Sequence, residues 1–183
     1  MKKLMLLAAV VVLFFSSQGC LVVQKMKFEI DLRNDTAGVA TAYAYGIASD
    51  AIGNKEYDDD VYLLSDMLTG TGFLEYMENF GRKVIFRELT VDNNLLNGKV
   101  VFTFDNIVNV ENIIFDGDYY YLTLPPSEVF GETNGLLIQE EDYQRVIWGK
   151  EVEKIEFELL NTSPAKLKDM IPEMEKVIKS QKK

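Results

Sequence analysis

A chain of 183 residues with 29 acidic against 19 basic side chains carries a net charge of −10, and such a surface repels phosphate backbones, which excludes nucleic acid as a partner. Histidine is absent, so every imidazole general base, every Ser-His-Asp or Cys-His pair and every zinc site built on imidazole is excluded too. Cys20 is the only cysteine, so no intrachain disulfide can form, and the domain must stand on packing alone.

Lys2 and Lys3 form a basic start, Leu4 to Phe15 an unbroken apolar run, and Ser17-Gln18-Gly19 a small-residue exit, the layout of a secretory signal peptide. The apolar run spans roughly 18 Å at ~1.5 Å per residue, too short for a hydrocarbon core of ~30 Å. Cleavage after Gly19 leaves 164 residues, with 17 basic side chains against 29 acidic ones and a net charge of −12. Ser17-Gln18-Gly19-Cys20 resembles the lipobox of bacterial lipoproteins, in which the cysteine thiol receives a diacylglyceryl group. Gly19 and Cys20 fit that pattern, while Ser17 stands where a branched aliphatic residue is usual. The resemblance implies lipidation at Cys20 and a membrane partner reached through that anchor. Leu21 in place of Asp after the cysteine implies the outer membrane, facing the periplasm, where the source has two membranes. Ordinary secretion is the alternative, since Ser17-x-Gly19 also satisfies a small-x-small cleavage rule and would leave a free thiol. Each buried CH₂ contributes ~0.8 kcal/mol, so one acyl chain holds marginally and two hold stably. The expected organisation is a signal peptide over 1–19, a lipidated N-terminus and tether over 20–26, and one domain over 27–183.

Met26 to Arg33 alternates strictly, with Met26, Phe28, Ile30 and Leu32 on one face and Lys27, Glu29, Asp31 and Arg33 on the other, as a half-buried strand does. Asn34 to Gly38 is its turn. Val39, Thr41, Tyr43, Tyr45 and Ile47 then alternate with Ala40, Ala42, Ala44, Gly46 and Ala48. A face made wholly of Ala and Gly suits close approach by another element, and the two strands are expected to form a hairpin. Asp60 is the expected N-cap of a helix carrying Val61, Leu64, Met67 and Leu68. Gly70 and Gly72 interrupt before Phe73, Tyr76, Met77 and Phe80, which predicts two short helices ending with Gly81 at C′. Val84 to Val91 reads as a strand, and Asn97-Gly98 as a two-residue hairpin turn leading into Val100 to Phe104.

Asp105 is the expected cap of a short helical turn through Ile107, Val110 and Ile114. Asp116-Gly117-Asp118 turns the chain into a strand over Tyr119 to Leu124, which Pro125-Pro126 ends. Ser127 to Gly135 is expected to be a mobile loop, and Ile155, Phe157 and Leu159 mark a last strand. Ser163-Pro164 opens a terminal helix with Leu167, Met170, Ile171, Met174, Val177 and Ile178 on one stripe, kinked or split at Pro172. That stripe is the expected cover for the small face of Ala40, Ala42, Ala44 and Gly46. The sum is an α+β fold, a mostly antiparallel sheet of hairpins with short helices between and a C-terminal helix packed on the sheet. A strand hairpin, helices and a second hairpin after Cys20, closing on Phe102-Thr103-Phe104-Asp105-Asn106-Ile107, resemble lipoproteins with an LppM-type domain. In that family a similar aromatic-x-aromatic-Asp segment leads from strand to helix. The resemblance covers residues 20–114 on one short motif, and it implies an anchored, non-enzymatic envelope domain with amphiphiles among its candidate ligands.

Three candidate motifs dissolve on inspection. From Asp58 in Glu56-Tyr57-Asp58-Asp59-Asp60, the sixth and twelfth places hold Leu63 and Thr69, where a calcium loop needs Gly and Glu. From Asp116 the twelfth place is Ser127. Gly70-Thr71-Gly72 meets Glu75 where a phosphate loop needs a third glycine. No metal and no cofactor is therefore expected. Tyr119, Tyr120, Tyr121, Tyr143 and Trp148 can line a ligand groove, since aromatic bodies with polar tips suit amphiphiles, or can pack as alternating strand residues. Three readings stay open: a binding or scaffold module for an envelope protein, a lipid or amphiphile binder with a cavity beneath the sheet, and a hydrolase using two carboxyls across a cleft. Geometry separates them. A closed core favours the first, a deep apolar cavity the second, and converging carboxyls in a polar cleft the third.

Overall fold

The computed structural model describes residues 21–162 and 166–181, so Cys20 and Ser163-Pro164 lie outside the described residues. The opening hairpin forms as the alternation dictates. Strand β1 (Leu21–Leu32) pairs antiparallel with β2 (Gly38–Ser49), Met26 opposite Ala44 and Ile30 opposite Ala40. The Asn34 side-chain oxygen closes the turn by accepting from the amides of Thr36 and Ala37 at 2.9 and 2.8 Å. β1 already begins at Leu21, where Leu21 and Val22 are buried, so residues 21–26 are strand and not tether.

Among the described residues ten strands make two antiparallel sheets. β3 (Arg82–Asp92) and β4 (Leu95–Phe104) form a second hairpin beside β2, while β10 (Lys154–Leu160) and β7 (Val129–Thr133) extend the other side in the order β3-β4-β2-β1-β10-β7. The smaller sheet runs β5 (Ile114–Phe115), β6 (Tyr119–Leu124), β9 (Gln144–Gly149), β8 (Leu136–Gln139). Side chains alternate across the large sheet. Its outer face carries ion pairs, Lys25 with Glu158 at 2.8 Å and Lys27 with Glu29 at 2.7 Å, with Lys154 reaching Glu29 and Glu156. Its inner face buries Phe28, Ile30, Ala40, Phe102, Ile155 and Phe157. The small sheet presses Tyr120, Leu122, Val146 and Trp148 into the same core, with Phe28 stacked on Phe157 at 4.9 Å.

Helices α1 (Asn54–Thr69) and α2 (Gly72–Asn79) supply the rest of the cover through Leu64, Phe73 and Met77. Gly81, at φ +69°, ends the pair where a left-handed residue is needed, as its sequence position predicts. Asp60 does not cap α1. The helix starts after Gly53, whose amide donates to the Glu56 carboxylate at 2.8 Å, and Asp60 sits buried in mid-helix, accepting from Ser49 Oγ at 2.6 Å. The acidic run favours a first turn, but Asp60 shares the inward stripe with Leu64 four residues on. The second hairpin turns at Asn93-Asn94, both in the left-handed region, and not at Asn97-Gly98, which lies within β4. Asn97 instead accepts from the amide of Gly46, where β2 itself goes left-handed.

Asn106, not Asp105, caps the short 3₁₀ turn Ile107–Asn109, its side chain accepting from Val108 N at 3.1 Å, and Ile114 belongs to β5. The stretch expected as a mobile loop holds β7: Phe130 buries its ring against Phe157, and Gly131 leaves room for Glu158, which would lie 2.8 Å from a Cβ there. The terminal helix α3 (Ile171–Gln181) begins later than its stripe suggests, because 167–170 lies outside the helix and Lys168 bridges to Ser49. Pro172 is its second residue and breaks nothing, since first-turn amides have no helical partner to lose. α3 packs on the sheet's end, where Met170 and Met174 join Leu21, Ile47, Leu64 and Leu96 in a second core. Much of the alanine face is left uncovered by it.

Candidate functional site

The uncovered alanine face is the floor of a cavity of about 540 Å³. Ala42 and Ala44 of β2 and Gly98 of β4 keep the floor low, while Met26, Phe28, Val100 and Leu159 rise around it. Leu64, Met67 and Leu68 of α1 and Phe73, Tyr76 and Met77 of α2 form the roof. Leu21 to Val23 line it at one end, beside Leu160, Asn161 and Thr162, and the cavity is partly open to solvent. Its size falls within the ~300–1,000 Å³ typical of small-molecule sites, and its wall is mostly hydrocarbon with a few polar groups, as such sites are built.

The polar groups are placed by identifiable local structure. Left-handed Gly81 starts β3 so that Arg82 points inward. After the 3₁₀ turn, Glu111 and Asn112 are left-handed at φ +52° and +59°, a tight corner that turns the Glu111 side chain into the protein. Arg82 Nη2 lies 3.5 Å from Glu111 Oε1, with the two side chains only 13% and 5% exposed. Arg82 Nε also donates to the Asn109 carbonyl, and its guanidinium lies 5.5 Å from the Phe102 ring centre. Burial pushes the Glu111 carboxyl up to about 7, against the pull of Arg82 and with a further push from Glu128. Burial also raises the Tyr76 hydroxyl, which Arg82 opposes and Glu111 reinforces, and it raises the Glu128 carboxyl. Arg87 lines the cavity but is committed elsewhere, donating to the carbonyls of Met67 and Gly70 at the end of α1.

The five aromatic residues singled out by sequence do not line this cavity, and Tyr120 is core, its hydroxyl donating to the Asp35 carbonyl. Trp148 is core, its Nε1 donating to Asn134 Oδ1 at 2.8 Å beside Phe157. Tyr121 and Tyr143 hold the Arg145 guanidinium at 5.2 and 5.1 Å from their ring centres, and Tyr119 is exposed. The acidic run Glu56 to Asp60 is helix, and among the described residues no group of three or more potential ligands is placed to hold a metal ion. Asp116 does the work of a turn, its carboxylate accepting from Asp118 and Tyr119 amides. Arg82, Glu111 and Glu128 were not singled out by sequence. The available signal was an acid, Glu111, set among Ile107, Val110 and Ile113, all three fully buried.

No protein-family model matches the chain, and neither the curated proteins nor the solved structures contain a match. Any functional reading rests on the cavity and on the sequence. Among the described residues no helix is long and apolar enough to cross a membrane.

Proposed function

We propose that this chain is a non-enzymatic, amphiphile-binding domain of a bacterial envelope lipoprotein, held at the membrane by a lipid on Cys20. The cavity is the observation that carries this reading. Its floor crosses the sheet from Leu89 on β3 to Leu159 on β10, four inter-strand steps or ~19 Å at ~4.8 Å each, room for an extended apolar tail. Burying such a tail gains ~25 cal/mol per Å² of apolar surface removed from water. The signal layout and the lone cysteine support the envelope and the anchor.

The test uses purified protein with Cys20→Ser, so that no attached acyl chain competes. Calorimetric titration with neutral, cationic and anionic twelve-carbon amphiphiles, each below its aggregation concentration, is expected to show binding by at least one of them. Ala42→Phe with Ala44→Phe fills the floor and is expected to abolish it while the far-ultraviolet circular dichroism is retained. No binding by the parent, or equal binding by the filled variant, defeats the reading. Mass spectrometry of the mature wild-type N-terminus is expected to show an acylated cysteine; a free thiol there removes the anchor from the proposal.

A protein-binding or scaffold role has one observation in its favour. On the solvent face of the small sheet, Ile114, Tyr121, Ile147 and Leu136 pair in one row across all four strands, with Ile114 and Leu136 exposed.

A further inference from the structure

One part of the cavity wall groups four ionisable side chains, and the charges there are unequal. Tyr76 from α2, Arg82 at the start of β3, Glu111 from the corner after the 3₁₀ turn and Glu128 from the segment before β7 all contribute to it. The cations among the described lining residues are Arg82, Arg87 and Lys99. Arg87 is held by two helix carbonyls, and the Lys99 ammonium lies over the rings of Tyr43 and Phe86, on the outer face of the sheet. Arg82 alone remains to meet an incoming head, and Glu111 already faces it at 3.5 Å. Glu128 acts on Glu111 as a second acid, so two carboxyls stand in this part of the wall against one guanidinium. An anionic head would enter against that balance in a poorly hydrated wall, where repulsion between like charges is strongly felt. A head bearing hydroxyl, amide or ammonium hydrogens would meet acceptors, and an apolar tail would run along Ala42, Ala44 and Gly98.

We propose that the cavity selects single-chain amphiphiles whose head is uncharged or cationic and rich in hydrogen-bond donors, held at Glu111 and Glu128 with Arg82 as countercharge, and that it rejects fatty acids and anionic phospholipids. This rests on the amphiphile-binding reading and narrows it to a ligand class. The rival is a fatty acid whose carboxylate displaces Glu111 from Arg82 while Glu111 takes up a proton.

The experiment titrates the Cys20→Ser protein at pH 7.5 with 1-monolauroylglycerol, dodecylamine and dodecanoate, which share a tail length and differ in head. The glycerol ester and the amine are expected to bind at least ~10-fold tighter than dodecanoate, a difference of ~1.4 kcal/mol. Glu111→Gln with Glu128→Gln should shrink the gap between amine and dodecanoate several-fold. Glu128→Gln alone, at a half-buried position, provides the same test in the same direction should the double variant fail to fold. Dodecanoate binding as well as or better than the other two overturns the inference and leaves amphiphile binding standing. So does a gap that neither variant alters. Silence from all three ligands takes both down together.

Discussion

The inner face of the large sheet is covered in two different ways. Where the small sheet lies over β1 and β10, Phe28, Phe157, Trp148 and Tyr120 interlock with almost no exposed surface. Where α1 and α2 lie over β2 and β4, the floor is Ala42, Ala44 and Gly98, and about 540 Å³ stays open. The covering elements explain the contrast. A small sheet approaches face to face and fills its gap with large side chains from both layers, whereas helices resting on Phe73, Met77 and Leu64 bridge over small residues. The first half is closely packed, and the second keeps the open volume on which the proposed binding rests.

The sharpest way to break this contrast is Phe157→Ala, expected to cost ~3–5 kcal/mol in chemical denaturation because it opens a hole where neighbours cannot close in. A loss below ~1 kcal/mol would mean that the two halves are packed alike.

Titration sharpens it next, because the two faces of the sheet respond to pH in opposite senses. Glu111 has its folded value raised from 4.5 to about 7, so the stability it contributes is present in full below about 4.5 and is lost as pH rises through about 7. At ~1.36 kcal/mol per unit that is about 3 kcal/mol, and Glu111→Gln is expected to flatten the decline between pH 5 and pH 8. On the outer face, the hydrogen bond from Lys27 and then that from Lys154 outweigh burial and hold Glu29 below its ordinary value. Its contribution is present above about 4.5 and fades as pH falls through the lowered value. Denaturation curves at pH 5 and pH 8 for both proteins check the sign. A variant that keeps the full decline would place the proton elsewhere.

The smallest effect is expected from Ala44→Leu, a change within ~1 kcal/mol of zero, since the added methylenes enter open space and not a filled core. A loss like that of Phe157→Ala would show the floor to be packed after all.

The parts legible in the sequence are those where one local rule acts without competition. The alternation from Met26 to Leu32 gave its strand and the charge pattern of its outer face, and Gly81 its helix end. The Ala and Gly alternation of β2 marks a special face, and that face is the cavity floor, although α1 and α2 roof it and not the terminal helix. Errors arose where two rules shared a segment. Asn93-Asn94 and Asn97-Gly98 both suit a tight hairpin, and only the pairing of β3 with β4 selects between them. Asp60 looked like a cap because its partner, Ser49, lies at the far end of another element. β8 and β9 lack a clean alternation, and Glu111 meets Arg82 only after the chain has folded. The aromatic residues stand out by size, but positions on β6, on β9 and just before β9 send them to the core or to the outer surface.

The strand order has a consequence for how the chain reaches this structure. β1 is the first strand in sequence, yet one of its two neighbours is β10, the last strand, with Met26 opposite Leu159 and Phe28 opposite Phe157. The close-packed half of the core therefore cannot assemble until some 130 residues of intervening chain are on hand. Pairings that close such long loops are slow to form. A chain emerging from its N-terminus can make the β1–β2 hairpin early, but it presents Phe28 and Ile30 and an unpaired strand edge until its other end arrives. Any chain stopped short of Lys154 would keep that edge open permanently.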